Sequence, residues 1–183
     1  MKMLINGKYT DASDGAVIEV FDPAAHELLD TVPAATKADV DLAIEIAQKG
    51  KALWGGLSVQ ERTDILCKAS AMMEAERVEM TTLLAKETGK PYRQADEEIG
   101  NAVALFKGYA QKVRHFYDQI IPAEKDFITV IREPVGVVAC IVPFNFPIDL
   151  YSHKVAPALA AGNAVIIKPS SETPLCNIYI SEL

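Results

Sequence analysis

The chain has 183 residues and a formal net charge of −7 at pH 7; half of its residues are hydrophobic and 23% are charged. This length suits one domain or slightly more, and the composition is that of a soluble globular protein with a sizeable core. The acidic balance without a Lys/Arg cluster argues against a nucleic-acid-binding surface, and the lack of an 18-residue apolar run or a signal sequence indicates a cytoplasmic protein without membrane contact.

The chain opens with two predicted β segments. Leu4–Tyr9 is predicted to be a hairpin around Asn6-Gly7, because both turn residues tolerate a positive φ. Ala16–Phe21 alternates between the two faces of a strand, and Asp22-Pro23 ends it.

Two capping boxes predict the starts of the first two helices. Thr36 is followed by Asp39 and Ser58 by Glu61, so each hydroxyl can accept from a backbone N–H while the acid reaches back. Apolar residues recur at helical spacing behind both pairs, which indicates that one face of each helix packs on a core.

Two further helices and one strand follow. Val78–Lys86 continues a helical pattern until Gly89, and Pro91 suits the first turn of a long fourth helix. The residues of this fourth helix that are predicted to face inward are Ala95, Ile99, Ala102, Val103, Phe106, Ala110 and Val113. Beyond it, Asp126–Glu133 alternates as a two-faced strand, which needs a partner at its edges.

The carboxy-terminal part predicts a strand–loop–helix–strand unit. Val135–Val142 is an apolar run of strand length, Ile148–Ala161 is apolar with helical spacing, and Ala164–Ile167 is a second apolar strand. This order is that of a βαβ crossover between parallel strands, where ligands bind just beyond the carboxyl ends of the strands. Asn145 and Lys168 follow those two ends.

Each of these two side chains has a functional and a structural interpretation. In the functional interpretation, the Asn145 amide donates a hydrogen bond to a ligand and does not titrate; in the structural interpretation, it only caps a turn between two prolines. The Lys168 ammonium donates to ligand hydroxyls, or it is a solvated lysine at a strand end. On the intervening helix, His153 and Lys154 point about 100° apart, so they are not expected to reach one site together.

The three cysteines are isolated from one another. Without a CxxC pair they predict no zinc site, and their odd number fits reduced thiols. Cys67 lies in a helical apolar pattern and Cys140 inside an apolar strand, so both are expected to be packed and the pKa of Cys140 to be raised. Cys176 lies near a helix start, which can activate a thiol, but no base is expected beside it, so a structural thiol is the favoured interpretation.

Three motifs carry a close resemblance to the aldehyde dehydrogenase superfamily. They are Pro143–Pro147 (Pro-Phe-Asn-Phe-Pro), Lys154 with Pro157–Asn163, and Lys168–Pro174, in the order and spacing of that family. Glu87–Pro91 and shorter upstream matches agree more loosely, so the resemblance covers the whole chain as an amino-terminal portion of such an enzyme. Within the family, the chain is similar to enzymes that act on lactaldehyde or glyceraldehyde 3-phosphate.

The resemblance implies an α/β fold, in which an N-terminal hairpin and helices lead into an incomplete Rossmann-like parallel sheet. Residues 1–183 then form a partial dinucleotide-binding domain, with an oligomerisation ribbon over residues 122–134 and the start of the sheet over residues 135–183. The ribbon implies a homo-oligomer for the complete enzyme.

The family's reaction oxidises an aldehyde to a carboxylic acid with NAD(P), after a cysteine thiolate attacks the carbonyl and hydride leaves to the nicotinamide. By resemblance, Asn145 donates a hydrogen bond to the oxyanion and Lys154 relays protons. The residues that the resemblance places at the cofactor are Ile141, Val142, Pro143, Phe144, Lys168, Ser170 and Ser171.

Ser171 determines which cofactor we expect. Many NAD-preferring relatives have a glutamate at this position, and its carboxylate accepts from the ribose 2′-hydroxyl and repels a 2′-phosphate. A serine beside Lys168 can accept that phosphate, so NADP is expected to serve at least as well as NAD. Glu172 is displaced by one residue and is not expected to substitute.

The family's motifs for the nucleophilic cysteine and the glutamate base do not occur in these residues. We therefore expect the chain by itself not to oxidise aldehydes, and we expect it to be truncated relative to the family. Three hypotheses stay open: the cofactor-binding part of an aldehyde dehydrogenase, a non-catalytic truncated dinucleotide-binding or oligomerisation module, and a structural remnant.

Overall fold

A computed structural model describes residues 1–183 and shows a mixed α/β fold. The strands are β1 (Met3–Ile5), β2 (Lys8–Thr10), β3 (Val17–Phe21), β4 (Leu28–Pro33), β5 (Gln119–Pro122), β6 (Phe127–Val130), β7 (Val137–Ile141) and β8 (Ala164–Lys168). The helices are α1 (Lys37–Gly55), α2 (Val59–Ala75), α3 (Arg77–Thr88), α4 (Tyr92–Val113), α5 (Pro147–Ala160) and α6 (Leu175–Glu182). The strands form four two-stranded sheets. None of the helices has the length and apolar character that a membrane span requires.

Two antiparallel hairpins form the amino-terminal part. β1 and β2 pair around Asn6 and Gly7, whose φ angles of 54° and 68° confirm the predicted turn. β3 confirms the predicted strand that ends at Phe21, and it pairs with β4, which the sequence did not predict. Leu28–Pro33 lacks regular alternation and ends in a proline, so its strand conformation depends on its pairing with β3.

Both predicted capping boxes are present, at the starts of α1 and α2. The Thr36 hydroxyl accepts from the Asp39 N–H, while the Asp39 carboxylate accepts from the Thr36 N–H at 2.8 Å. Ser58 and Glu61 repeat this arrangement. Pro91 differs slightly from the prediction, because it immediately precedes α4 instead of lying in its first turn.

The main core lies between α2, α4 and α5 and reaches the parallel strands. Of the residues predicted to face inward from α4, the buried ones are Ala95, Ile99, Ala102, Phe106 and Ala110, and the partly buried ones are Val103 and Val113. Larger side chains that complete the core include Leu66, Met73, Met80, Leu84, Ile148 and Val155. Each such side chain contributes about 1.5–3 kcal/mol when it is buried, so this helical layer stabilises the support on which the site rests.

A two-stranded antiparallel ribbon, β5–β6, exposes large apolar side chains, with Ile120 70% and Phe127 69% exposed. It spans Gln119–Val130, so it starts and ends earlier than the predicted range of 122–134. Beyond the end of the ladder, the Arg132 N–H donates to the Asp118 carboxylate at 2.9 Å. The role of the ribbon in oligomerisation stays a prediction.

The predicted βαβ crossover is present. β7 and β8 pair in parallel on either side of α5, in a register that places Ile141 opposite Lys168. β7 begins at Val137, so the predicted strand start at Val135 is wrong. Gly136 has a φ of 117°, which interrupts the extended conformation just before β7. The Asn163 side-chain carbonyl accepts from the Gly136 N–H at 2.8 Å and aligns the starts of both strands.

Candidate functional site

The carboxyl ends of β7 and β8 lie side by side, and a loop follows each of them. The Val142 N–H donates to the Lys168 carbonyl at 3.0 Å, which extends the pairing past β7. The chain then enters two loops, Pro143–Phe146 before α5 and Pro169–Pro174 before α6. The candidate site residues that the sequence indicated lie on or beside these loops.

The first loop presents Asn145 between two aromatic rings, and Phe144 and Phe146 are 59% and 51% exposed. The backbone carbonyl of Asn145 accepts from Lys90 Nζ at 3.3 Å, whereas its exposed side-chain amide has no hydrogen-bond partner within the chain. The amide therefore does not cap the turn, and it is free to donate to a ligand. Pro147 begins α5, a position where its missing N–H breaks no helical hydrogen bond.

Lys168 at the end of β8 and two serines of the second loop follow one another closely in the chain. Lys168 is exposed, and its Nζ donates to the Pro169 carbonyl at 3.0 Å. The Ser170 hydroxyl accepts from the Glu172 N–H at 3.2 Å, whereas Ser171 is exposed. An ammonium donor and a hydroxyl that donates or accepts, three residues apart, match the oxygen atoms of a sugar or a phosphate.

The other residues implied for cofactor contact differ in their exposure. Ile141 is 65% exposed and Pro143 is exposed, whereas Val142 is 2% exposed and packs in the main core. The Val142 side chain therefore serves packing, and only its backbone can face a ligand.

A cleft of about 730 Å³ opens beside the first loop. Phe144–Phe146 line it on one side, and Glu172 and Thr173 line it from the second loop. The other lining residues are Phe21, Pro23, Glu87, Thr88, Lys90 and Gln94. Lys168 and Ser171 are not among the lining residues, so the structure brings Asn145 and the second loop together but leaves the predicted ribose-binding side chains on adjoining surface.

His153 and Lys154 are both exposed on α5. His153 Nε2 lies 3.9 Å from the Asp149 carboxylate. The Lys154 charge acts on the thiol of Cys140, where it partly offsets the rise in pKa that burial causes. The structure shows no hydrogen bond between Lys154 and Asn145, and the proton-relay role of Lys154 stays a prediction.

The cysteines are structural, as their sequence context indicated. Cys140 and Cys176 are each 1% exposed, and burial raises the pKa of both thiols. The expectation that no base lies near Cys176 is wrong, since the Glu87 carboxylate accepts from its N–H at 3.1 Å. This carboxylate raises the pKa of Cys176 further, so the thiol is held in its unreactive form. Cys67 is half-buried against the main core.

Sequence reasoning missed two buried carboxylates behind the loops. Glu98 on α4 accepts from the N–H groups of Ile148 and Asp149, at 2.9 and 3.1 Å. Glu87 on α3 accepts from the N–H groups of Leu175 and Cys176 in the same way. Each carboxylate thereby caps the helix that follows one of the loops. Burial raises the pKa of Glu87, although its hydrogen bonds oppose the rise.

A sequence signal for both carboxylates exists. Glu98 lies three residues after Ala95 and four before Ala102, on the stripe of α4 that faces the core. Glu87 lies in the same way three residues after the buried Leu84. A charged residue on an apolar stripe must find a partner inside the protein, because burying an unpaired carboxylate is costly.

Comparison with known families matches residues 9–183 to the aldehyde dehydrogenase family. Among curated relatives, the D-glyceraldehyde dehydrogenase (NADP(+)) of Picrophilus torridus is 39% identical over 177 residues, covering 96% of this chain and 36% of the relative. The lactaldehyde dehydrogenase of Methanocaldococcus jannaschii is 35% identical over 181 residues, covering 99% of this chain and 38% of the relative.

Solved structures that resemble this chain cover a similar share of it. A crystal structure of an E. coli NADP-dependent enzyme matches the chain with a TM-score of 0.96 and 33% identity. The match covers 99% of this chain and 38% of that one. The chain therefore has the fold of one part of these proteins and spans little more than a third of their length.

Proposed function

The chain belongs to the aldehyde dehydrogenase family, and we propose that it forms the amino-terminal, cofactor-binding part of an enzyme that oxidises an aldehyde to a carboxylic acid with NAD(P). The observation that carries the proposal is the free Asn145 amide, which lies just beyond the carboxyl end of β7 and lines a cleft shared with the second loop. The complete reaction then requires residues outside 1–183.

Asn145 would act as a hydrogen-bond donor to the oxyanion that forms when a nucleophile attacks the aldehyde. An amide donor suits this task because it does not titrate and is in place before the charge develops. Removing one such donor typically raises the barrier by about 3–4 kcal/mol. The exposed rings of Phe144 and Phe146 on either side can shield this donor from water once a ligand covers them.

The surface beyond β8 fits a dinucleotide, NADP or NAD. The Lys168 ammonium can donate to ribose hydroxyls, and the exposed Ser171 hydroxyl leaves room for a 2′-phosphate. The exposed side chains of Ile141 and Pro143 offer apolar contact beside them. When bound, the nicotinamide supplies the hydride acceptor of the reaction. We expect NADP to serve at least as well as NAD.

The names of the two relatives described above support a small hydroxyaldehyde as substrate. Lactaldehyde and glyceraldehyde, which occur in those names, both carry a hydroxyl on the carbon next to the carbonyl. Lys154 is exposed to solvent on α5. In a reaction on such a substrate, it is proposed to relay protons between the site and solvent. A cytoplasmic location suits soluble substrates of this kind.

The β5–β6 ribbon is proposed to join a second copy of the chain in a homo-oligomer. Its exposed Ile120 and Phe127 are apolar side chains that association would remove from water. The same observation favours the second candidate function, a non-catalytic module that binds a dinucleotide or mediates assembly.

The isolated chain should not oxidise aldehydes, because residues 1–183 carry no motif for the nucleophilic cysteine or the glutamate base, and Cys140 and Cys176 are buried thiols with raised pKa values. The test incubates the purified chain with lactaldehyde or glyceraldehyde and either cofactor, and follows the absorbance of reduced nicotinamide. Steady turnover that Cys176→Ser abolishes would contradict this expectation and make that thiol the nucleophile.

The catalytic role of Asn145 can be tested in a chimera, in which residues 1–183 replace the matching segment of the Picrophilus torridus relative. We expect Asn145→Ala to lower kcat by about a hundredfold or more, with a smaller effect on the KM for cofactor. The matched control is Asn101→Ala, which removes the same group from an exposed position on α4.

A kcat of the Asn145→Ala chimera close to that of its parent would show that the amide only shapes the loop. A chimera that folds and binds NADP but oxidises no aldehyde before any substitution would favour the non-catalytic module.

A further inference from the structure

The turn between α3 and α4 holds one lysine in a restricted place. Gly89 has a φ of 70° and ends α3. Pro91 immediately precedes α4, and its ring fixes φ at that position. Lys90 lies between them, and only 11% of its side chain is exposed. The left-handed turn at Gly89 and the fixed φ of Pro91 set the direction of the chain on either side of Lys90, and its side chain points into the molecule.

The start of α5 needs a cap from another part of the chain. Pro147 has no N–H, and the first intrahelical hydrogen bond is accepted by the Phe146 carbonyl, so the N–H groups of Ile148 and Asp149 have no partner within the helix. Phe146 has no side-chain acceptor. Glu98, whose side chain is 1% exposed, accepts from both groups with one carboxylate oxygen.

Lys90 connects this cap to the first loop. Its Nζ donates to the other oxygen of Glu98 and, at 3.3 Å, to the backbone carbonyl of Asn145. The same ammonium lies 4.6 Å from the centroid of the Phe146 ring, within cation–π distance. The segment Pro143–Pro147 is thus held at Asn145 and Phe146 by Lys90, and the first turn of α5, which directly follows the segment, is held by Glu98.

We propose that Lys90 and Glu98 are positioning residues that fix the Pro143–Pro147 segment and thereby aim the Asn145 amide. This inference rests on the proposed function, in which that amide is the oxyanion donor. In this role both side chains act through the loop and not on the reacting atoms. A preorganised donor works because it is aimed before charge develops, so a looser loop lowers kcat more than it weakens ligand binding.

The first experiment uses the 183-residue chain and measures amide hydrogen exchange by NMR. Lys90→Met keeps most of the length of the side chain without its charge. Glu98→Gln leaves one carbonyl oxygen in place of the two carboxylate oxygens that accept from Lys90 and from the N–H groups of Ile148 and Asp149. We expect the N–H groups of Ile148 and Asp149 to exchange about tenfold faster in both variants. Lys90→Arg, which keeps a cation in reach of Glu98, should restore most of the protection.

Glu97→Gln is the matched control. Glu97 neighbours Glu98 on α4, but its side chain is 60% exposed and it lies 3.7 Å from Arg93. The same chemical change there should leave the exchange of both amides unaltered. Because Glu98→Gln is nearly isosteric, it decides the question alone if Lys90→Met does not fold.

The second experiment measures kcat in the chimera, per folded enzyme. Lys90→Met and Glu98→Gln should each lower kcat about tenfold while the KM for NADP changes by less than about twofold. In the Asn145→Ala background, Lys90→Met should lower kcat no further, because the group that it positions is gone. A loss that only reflects stability would instead lower the folded fraction and leave kcat per folded enzyme unchanged.

Faster exchange together with a non-additive loss of kcat supports the inference. Unaltered exchange in Glu98→Gln, or an equal effect of Glu97→Gln, overturns it, as does a kcat loss that adds fully to that of Asn145→Ala. If Asn145→Ala itself has normal kcat, the proposed function fails at that residue, whatever the exchange experiment shows.

Discussion

Replacing Ser171 with glutamate should shift the cofactor preference of the chimera from NADP toward NAD. Ser171 and Lys168 are both exposed, so solvent screens the interaction of a glutamate at position 171 with a phosphate bound beside it. At about 5 Å, two unit charges interact by about 0.8 kcal/mol in water and by about 3 kcal/mol near a protein surface. The exposure of Ser171 favours the lower value. A 2′-phosphate of charge near −2 is then repelled by about 1.5 kcal/mol, a factor of about ten.

The assay compares kcat/KM for NAD and NADP in the parent, in Ser171→Glu and in Ser171→Gln, which has the size of glutamate without its charge. The NADP/NAD ratio should fall about tenfold with glutamate and little with glutamine, and the shift should shrink at high salt. A parent that strongly prefers NAD, with a ratio that neither substitution alters, would refute the reasoning. Glu172 or a residue outside 1–183 would then set the choice.

Two further predictions concern the chain itself. A thiol reagent should leave Cys140 and Cys176 unmodified in the native chain and should modify them in denaturant, because both are buried with raised pKa values; rapid native labelling of Cys176 would show that α6 opens. Gly162→Ala should lower the free energy of unfolding by about 1–3 kcal/mol in urea titrations, because Gly162 has a φ of 90° and an added Cβ would lie 3.0 Å from Pro134. The control Gly108→Ala lies in α4 with open space around it, and it should raise stability by about 0.5–1 kcal/mol; equal effects of the two substitutions would contradict this account.

Elements whose ends are encoded by neighbouring residues could be predicted from the sequence. The Asn6-Gly7 turn is confirmed because both residues adopt the positive φ that selects them for such turns. The capping boxes at Thr36 and Ser58 are confirmed for the same kind of reason, since all partners lie within three residues. The order of strand, helix and strand over residues 137–168 followed from apolar runs that proline and glycine interrupt.

Strands that depend on a partner could not be predicted in the same way. β4 and β5 lack regular alternation, and each has its conformation because a neighbouring strand offers it a ladder of hydrogen bonds. Likewise, the sequence placed Asn145 and Lys168 at adjacent strand ends, but it did not show that Lys168 lies outside the cleft that Asn145 lines. Side-chain direction on a loop depends on contacts from distant residues, which a local pattern does not contain.

The helix starts show how such distant contacts could be anticipated. α5 and α6 begin after Phe146 and Pro174, neither of which can cap a helix with its side chain, and both starts are buried. The N–H groups that lack an intrahelical partner must then find an acceptor elsewhere, and Glu98 and Glu87 are charged residues on apolar stripes that need donors. A serine or aspartate at position 146 would cap α5 locally, but it would remove the ring that Lys90 contacts. Capping from α3 and α4 instead leaves the side chains of Asn145 and Ser171 free for a ligand.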